Sequence, residues 1–141
     1  MSITVERNKS GVLIPIQQYA TQEEKIYKRF DVWYADLGEN KNSRVMSGMR
    51  PVLIISNNKN NQYSPIVLAV PLTSSITKKR IPVHVPLTAQ ESGLKKDSTI
   101  LFEQHLTLDK SQLIHKFVSI PESYHGRLQY ALNLSTSGDY E

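Results

Sequence analysis

Cysteine is absent from this chain of 141 residues. Its absence excludes a disulfide framework, a thiolate nucleophile and cysteine-based zinc sites. The four histidines, His84, His105, His115 and His125, stand apart in the sequence. None of them belongs to the closely spaced pair with a carboxylate that marks a helical metal site. We therefore expect no metal ion and no other cofactor.

Long apolar runs are also missing. The longest, residues 51–56, has the length of a strand, whereas a membrane span needs roughly 18–20 apolar residues. Residues 1–10 are polar and do not contain the apolar segment and cleavage site of a signal peptide. These features predict a cytoplasmic protein that does not associate with a membrane.

Positive charge is in mild excess, with 17 Lys and Arg against 13 Asp and Glu, a net charge of +4. Between residues 74 and 96, five basic residues stand against the single acidic residue Glu91, a local charge of +4: Lys78, Lys79, Arg80, Lys95 and Lys96. Such a cluster suits a polyanion such as RNA, because each neutralised phosphate releases counterions. Solvated loop lysines are the simpler interpretation of the charge alone.

From residue 30 onward, short β-branched and aromatic runs alternate with polar turns, as is typical of a small antiparallel barrel or sandwich. The predicted strands are residues 30–37, 51–57, 66–73, 81–87, 99–107 and 116–120. Turn-forming residues separate them, notably the asparagine-rich stretch 57–61 and Ser92-Gly93. Trp33 and Tyr34 are expected in the core rather than as stacking partners for bases. We predict a mainly β fold, a closed or nearly closed antiparallel β-barrel.

Both ends of the chain differ from this region. Residues 1–16 show no period and are expected to form a loose arm, followed by a short helix from about Thr21 to residue 29. After Pro121, an apolar stripe predicts a C-terminal helix whose residues 135–138 should fray. The stripe comprises Leu128, Ala131, Leu132 and Leu134, and core packing and a dimer contact explain it equally well.

Two polar residues stand at the ends of neighbouring predicted strands. Arg50 precedes one apolar run, and Thr73 ends the next and is followed by Ser74. A guanidinium matches two phosphate oxygens and stays charged at neutral pH, while a hydroxyl can orient a reacting group. If the strands bring both residues to one rim, they form a candidate phosphate site.

Five blocks of sequence follow one another along the chain: Asp31-Val32-Trp33-Tyr34-Ala35-Asp36-Leu37, Gly48-Met49-Arg50-Pro51-Val52-Leu53-Ile54-Ile55-Ser56-Asn57, Tyr63-Ser64-Pro65, Ile81-Pro82-Val83-His84-Val85 and Asp97-Ser98-Thr99-Ile100-Leu101-Phe102-Glu103-Gln104. With these blocks the chain resembles the MazF/PemK family of bacterial toxins. The resemblance covers about residues 29–134. It divides the chain into a partly helical N-terminal extension, residues 1–28, and a barrel domain, residues 29–141.

This resemblance implies an SH3-like barrel of the MazF/CcdB type with five to seven strands, which forms a homodimer. It also implies a toxin, held in check by a cognate antitoxin, that cleaves single-stranded mRNA at a short sequence without a metal. The expected products are a 2′,3′-cyclic phosphate and a 5′-hydroxyl. By motif, the family's catalytic residues fall on Arg50 and Thr73, and its RNA-contacting positions fall on Ser98, Glu103 and Gln104. Further RNA contacts are expected from nearby polar and basic residues: Ser43, Arg44, Ser47, Ser74, Lys78, Lys79 and His105.

Three departures from the family pattern bear on which RNA is cut. The loop residues 42–48 are one residue longer than usual and lack the family's glutamate, with Arg44 near its place. Leu106 stands where a basic residue is common. Phe30 stands where a glycine usually precedes the first block.

RNA cleavage by transesterification requires a deprotonated 2′-oxygen, stabilisation of the phosphorane charge and a protonated leaving oxygen. Arg50 suits charge stabilisation, because a guanidinium holds almost no free base at neutral pH. Thr73 suits orientation. The sequence identifies no general base; His105 is one candidate, and it shares a face with Glu103 if that segment is a strand.

Two hypotheses of different classes remain open at this stage. The first is a sequence-specific endoribonuclease toxin. The second is a binding protein on the same fold, either a gyrase poison like CcdB or a non-catalytic member that binds a partner. The presence of both Arg50 and Thr73 favours the nuclease, and the missing loop glutamate favours the non-catalytic interpretation.

Overall fold

An antiparallel sheet of seven strands forms the centre of the protein in the computed structural model, which describes residues 5–7, 13–15, 25–39, 42–75 and 81–138. The strands are β1 (Val5–Arg7), β2 (Leu13–Pro15), β3 (Asp31–Asp36), β4 (Met49–Ile54), β5 (Ile66–Thr73), β6 (His84–Leu87), β7 (Ser98–Leu101), β8 (Leu106–Asp109) and β9 (Leu113–Ser119). The helices are α1 (Asn58–Tyr63), α2 (Ala89–Ser92) and α3 (His125–Thr136), with 3-10 turns at Lys110–Gln112 and Glu122–Tyr124.

Strands β3 to β9 follow the order β6-β7-β5-β4-β3-β9, and β8 pairs with β5 beside this path. All of these pairings are antiparallel. The predicted mainly β, barrel-type fold is confirmed. The prediction of a closed or nearly closed barrel is corrected in one respect: among the described residues, the end strands β6 and β9 do not pair with each other, so the sheet stays open along one seam.

Apolar side chains cover both faces of the sheet, because alternate residues of a strand point to opposite faces. On one face, Val32 and Leu53 lie in a core that also contains Leu128 of α3. On the other face, Trp33 and Val52 belong to a second core. Burial on both faces fixes the register of β3 and β4, since a slip of one residue would exchange the two sets.

Helix α3 matches the predicted C-terminal helix. Leu128 and Ala131 are buried in the first core, so this part of the stripe contributes to core packing. The helix extends to Thr136, one residue past Ser135, where fraying was predicted to begin. The hydroxyls of Ser135 and Thr136 both donate hydrogen bonds to the carbonyl of Leu132. In the described ranges, no helix is both long and apolar enough to cross a membrane.

The asparagine-rich stretch that was predicted as a turn is the helix α1. The Asn57 side chain caps it by accepting a hydrogen bond from the backbone N–H of Asn60 at 2.8 Å. Asn61 is buried and forms hydrogen bonds to both the hydroxyl and the carbonyl of Ser56. The prediction was wrong because the capping bond of Asn57 and the buried hydrogen bonds of Asn61 outweigh the turn preference of asparagine.

The predicted strand 99–107 is interrupted by a turn between β7 and β8. The backbone N–H of Phe102 donates to the carbonyl of Val83 at 3.0 Å, and the Phe102 side chain is fully buried. The core therefore holds the turn in place. Glu103 and His105, which a continuous strand would put on one face, lie outside the strands.

The N-terminal region is described only in parts. The predicted loose arm contains β1 and β2, which pair with Val5 opposite Pro15. The predicted helix from Thr21 lies largely outside the described residues, and its described part, residues 25–29, is not helical.

Residues just before the barrel contact its second face. The Lys25 ammonium donates hydrogen bonds to the carbonyls of Leu113 and Ile114, each at 3.0 Å. The Tyr27 ring lies 4.7 Å from the Trp33 ring, centroid to centroid. The end of the extension thus packs against β3 and β9.

Phe30 occupies a backbone conformation that favours glycine. Its φ is +67°, in the left-handed region, which costs most residues about 1–2 kcal/mol. Its side chain is 1% exposed, packs edge-on against His125, and carries the Arg29 guanidinium 3.8 Å from the ring centroid. Burial of the ring offsets the backbone cost. This explains how phenylalanine stands where the family pattern has glycine.

We expect Phe30→Gly to be less destabilising than Phe30→Ala, by about 1 kcal/mol. Both variants lose the buried ring, a loss of roughly 3–5 kcal/mol for phenylalanine to alanine in protein cores. Only glycine also relieves the left-handed backbone. Urea denaturation followed by the fluorescence of the single tryptophan, Trp33, measures both free energies of unfolding. A glycine variant no more stable than the alanine variant would contradict the left-handed conformation.

Candidate functional site

A groove of about 420 Å³ opens where β4 begins and β5 ends. Arg50, Thr73, Ser74 and Ser98, all predicted as site residues, line it. None of the described residues that line it is acidic. The groove therefore presents cations and hydroxyls, which suit an anionic ligand.

The pairing of β4 with β5 brings Arg50 and Thr73 together. The ladder of β4 with β5 ends where Val52 pairs with Pro71. Arg50 and Thr73 each stand two residues beyond that last pair, and both line the groove. A guanidinium and a hydroxyl are thus available to one ligand at the rim of the sheet.

The Arg50 guanidinium is oriented by the loop that precedes it. Its Nε donates a hydrogen bond to the backbone carbonyl of Ser47 at 2.8 Å. Within the described part of the chain, its two terminal nitrogens make no hydrogen bond. Because the Nε bond fixes the plane of the guanidinium, the terminal N–H groups remain as a fork for two oxygens of a phosphate.

The Thr73 side chain is held at the end of β5. Its Oγ1 accepts a hydrogen bond from the backbone N–H of Ser75 at 3.2 Å, and the residue is 9% exposed. The hydroxyl hydrogen has no acceptor among the described residues. Thr73 can therefore donate that hydrogen bond to a ligand oxygen from a fixed position.

Backbone hydrogen bonds close the base of the loop between β3 and β4. The N–H of Gly48 donates to the carbonyl of Gly38 at 2.6 Å, and the N–H of Leu37 donates to the carbonyl of Gly48 at 2.9 Å. Both glycines have positive φ, 75° and 77°, a conformation that other residues rarely adopt. The base of the loop thus depends on this glycine pair.

Gln104 anchors the same loop from the turn between β7 and β8. Its Oε1 accepts a hydrogen bond from the backbone N–H of Met46 at 2.8 Å. The next residue, Ser47, accepts the hydrogen bond of Arg50. The backbone of Met46 and Ser47 therefore connects the Gln104 amide to the Arg50 guanidinium.

Four other predicted site residues, Ser43, Arg44, Glu103 and His105, are described and lie apart from the groove lining. Glu103 forms an ion pair with His84, with 2.6 Å between the carboxylate and Nε2. His105 Nε2 lies 3.0 Å from the hydroxyl of Ser135 on α3. The Ser43 hydroxyl accepts a hydrogen bond from the N–H of Val45 inside the loop. Arg44 is an exposed loop residue. The predicted residues Lys78 and Lys79 lie outside the described residues.

The groove also contains residues that sequence analysis did not select for the site. Lys95 and Lys96 line it and are exposed; they belong to the basic cluster, so charge was a usable signal. Phe117 and Met49 line it as well. Nothing in their strand-like sequence context distinguished them from core residues.

Metal-ligand clusters are not a feature of the described ranges, where no group of three or more His, Asp or Glu could hold a metal ion. The polar side chains of the described groove lining are one arginine, two lysines and three hydroxyl residues.

Comparison with known proteins covers most of the chain. Residues 28–136 match the family described as "PemK-like, MazF-like toxin of type II toxin-antitoxin system". "Endoribonuclease EndoA" of Bacillus subtilis (strain 168) is 37% identical over 110 residues, covering 78% of this chain and 94% of the relative. "Endoribonuclease MazF" of Staphylococcus epidermidis is 42% identical over 108 residues, covering 77% of this chain and 89% of the relative.

Solved structures support the fold. An endoribonuclease from a mycobacterial species, in complex with its cognate antitoxin, superposes with a TM-score of 0.66 at 24% identity, covering 82% of this chain and 99% of that chain. MazF from Deinococcus radiodurans superposes with a TM-score of 0.66 at 19% identity, covering 79% of this chain and 96% of that chain. From the family match and the sequence relatives, the chain belongs to the PemK-like, MazF-like family of toxins of type II toxin–antitoxin systems.

Proposed function

We propose that this protein is a toxin of a toxin–antitoxin system and an endoribonuclease that cleaves single-stranded mRNA. The reaction is attack of a 2′-hydroxyl on the adjacent phosphate, which breaks the bond to the 5′-oxygen and gives a 2′,3′-cyclic phosphate and a 5′-hydroxyl. The observation that carries this proposal is that Arg50 and Thr73 line one groove, in which none of the described lining residues is acidic.

Arg50 acts on the scissile phosphate. Its terminal N–H groups donate to two non-bridging oxygens, and the charge that develops on the phosphorane strengthens these bonds relative to the ground state. The hydrogen bond from Nε to Ser47 fixes the guanidinium before the substrate arrives. This preorganisation reduces the reorganisation needed at the transition state.

Thr73 orients the reacting ribose or phosphate. Its oxygen accepts the hydrogen bond of the Ser75 N–H, and its hydroxyl hydrogen is available to a ligand acceptor. Lys95 and Lys96 neutralise phosphates that flank the scissile one. The described groove lining contains no imidazole or carboxylate, so we infer that water accepts the 2′-proton and protonates the leaving 5′-oxygen.

The loop of residues 42–48 governs which RNA sequence is accepted. Gln104 and Arg50 hold this loop against the groove. RNA contacts from Ser43, Arg44, Ser47, Glu103 and His105 stay predictions.

We infer that a cognate antitoxin inhibits the protein by covering the groove, and that the protein works as a homodimer in the cytoplasm, where mRNA is available. A related endoribonuclease has been solved in complex with its cognate antitoxin, and an acidic segment of an antitoxin would complement the cations of the groove. The relatives named as endoribonucleases favour a nuclease over a gyrase poison.

Arg50→Ala should lower the rate of RNA cleavage at least 100-fold, because removal of one preorganised donor to an oxyanion costs about 10²–10³ in rate. Thr73→Val should lower it by roughly tenfold or more, and Thr73→Ser should retain most of the activity. Purified variants are incubated with a long single-stranded RNA in excess EDTA, and the new 5′ ends are mapped.

Arg127→Ala is the matched control, since this exposed arginine lies on α3 outside the groove lining. It should cut at the same sites and rate as the wild type. Unchanged cleavage in a folded Arg50→Ala variant, or no cleavage by the wild type, would contradict the proposed function.

Gln104→Leu should reduce kcat/KM about tenfold and broaden the cleavage sequence, because the loop loses its anchor. Gln104→Glu should stay within about threefold of the wild type, since a carboxylate oxygen can still accept from the N–H of Met46. Gln62→Leu on the exposed face of α1 serves as the control. If Gln104 instead reads a base through its amide N–H, glutamate and leucine will be equally defective.

A further inference from the structure

Three aromatic rings cluster on β3 and β9 beside the groove. The ring centroids of Phe117 and His115 are 4.9 Å apart, those of Tyr34 and His115 5.4 Å, and those of Tyr34 and Phe117 5.5 Å. These distances lie in the range of favourable aromatic pairs. We call Tyr34, His115 and Phe117 the aromatic triad.

The triad reaches the groove through Phe117. Its ring is 41% exposed and lines the same groove as Arg50 and Thr73. Tyr34 is half-buried, His115 is exposed, and Tyr34 lies opposite Pro51, another residue of the groove lining. The expectation that Tyr34 is a core residue is therefore only partly met.

Core packing does not account for Phe117. Its neighbour Val118 packs against the first core, whereas Phe117 belongs to neither core. The ring projects from β9, the edge strand at the open seam of the sheet. An exposed phenylalanine in a groove with cations and hydroxyls suits a ligand that carries both an apolar flat surface and negative charge.

We propose that Phe117, supported by Tyr34 and His115, is a stacking subsite for an unpaired RNA base next to the scissile phosphate. The proposal rests on the proposed function. Single-stranded RNA combines the two properties that the groove requires, since its bases have apolar faces and its backbone is anionic. Arg50, Lys95 and Lys96 in the same lining supply the complementary charge.

The subsite has two consequences for selectivity. Stacking accepts any base, because every base has a π-face, so it contributes affinity and leaves sequence choice to the loop of residues 42–48. It also selects single strands, because the bases of a duplex are already stacked and paired. A second copy of this chain is the alternative partner for the exposed Phe117 ring, and sedimentation distinguishes self-association from RNA binding.

The experiment uses a fluorescent 15-nucleotide single-stranded RNA of mixed sequence in which every 2′-hydroxyl is methylated, so that it cannot be cleaved. A second oligomer has the same backbone and no bases. Fluorescence anisotropy measures the Kd of each oligomer for the wild type, Phe117→Ala, Phe117→Trp and the control Tyr130→Ala. Tyr130 is an exposed aromatic residue on α3, outside the groove lining.

We expect the wild type and Tyr130→Ala to bind the base-bearing oligomer about tenfold more tightly than the baseless one, as one stacked base would give. Phe117→Ala should weaken the base-bearing complex by up to about tenfold and leave the baseless complex unchanged, and Phe117→Trp should keep the preference of the wild type. Circular dichroism checks the fold of each variant, which the exposure of Phe117 should leave intact.

An unchanged preference in Phe117→Ala overturns the subsite, and if that variant still cleaves RNA, the proposed function stands alone. A shift of Phe117→Ala to a smaller species in sedimentation, with the base preference retained, assigns the ring to self-association and also overturns the subsite. Failure of the wild type to bind the base-bearing oligomer more tightly than the baseless one would overturn the subsite, and failure to cleave unmodified RNA would overturn the proposed function.

Discussion

The register of β4 against β5 is the constraint on which the candidate site depends. Val52, Leu53 and Ile54 are all fully buried, with successive side chains in different cores. A slip of one residue would move each of these side chains into the other core and disrupt the packing of both. Arg50 and Thr73 each stand two residues beyond the end of this ladder and line one groove. The sheet therefore positions a polar pair at its rim through the packing of its apolar interior.

A second set of contacts couples the loop to this pair. Gln104 holds the N–H of Met46, and the carbonyl of the following residue, Ser47, holds Arg50. In this arrangement the segment proposed to select RNA and the group proposed to act on the phosphate share one short stretch of backbone. Substrate recognition and orientation of the guanidinium are thus linked through two hydrogen bonds. The Phe117 side chain lines the groove and takes part in neither of these two hydrogen bonds. A base can stack on its ring whatever the RNA sequence.

The sequence predicted those features that follow from local pattern. Alternating apolar runs indicated the strands, three- and four-residue spacing indicated α3, and the positions of Arg50 and Thr73 at strand ends indicated a shared rim. It did not predict α1, because an asparagine-rich stretch is typical of a turn and its pattern does not show that Asn61 is buried. It also did not predict the break before β8, because the turn depends on where the core receives Phe102. The groove role of Phe117 was invisible for a related reason, since an aromatic residue in a strand has the same pattern whether it faces a core or an open seam.

The most direct test of the central claim is the chemistry of the cut ends, measured by mass spectrometry of fragments from a defined single-stranded RNA. Positioning of a phosphate by Arg50 and Thr73 for attack by the neighbouring 2′-oxygen predicts an upstream fragment that ends in a 2′,3′-cyclic phosphate and a downstream fragment with a 5′-hydroxyl. A downstream fragment with a 5′-phosphate, paired with an upstream 3′-hydroxyl, would show that water or another nucleophile attacks the phosphate and would contradict the account.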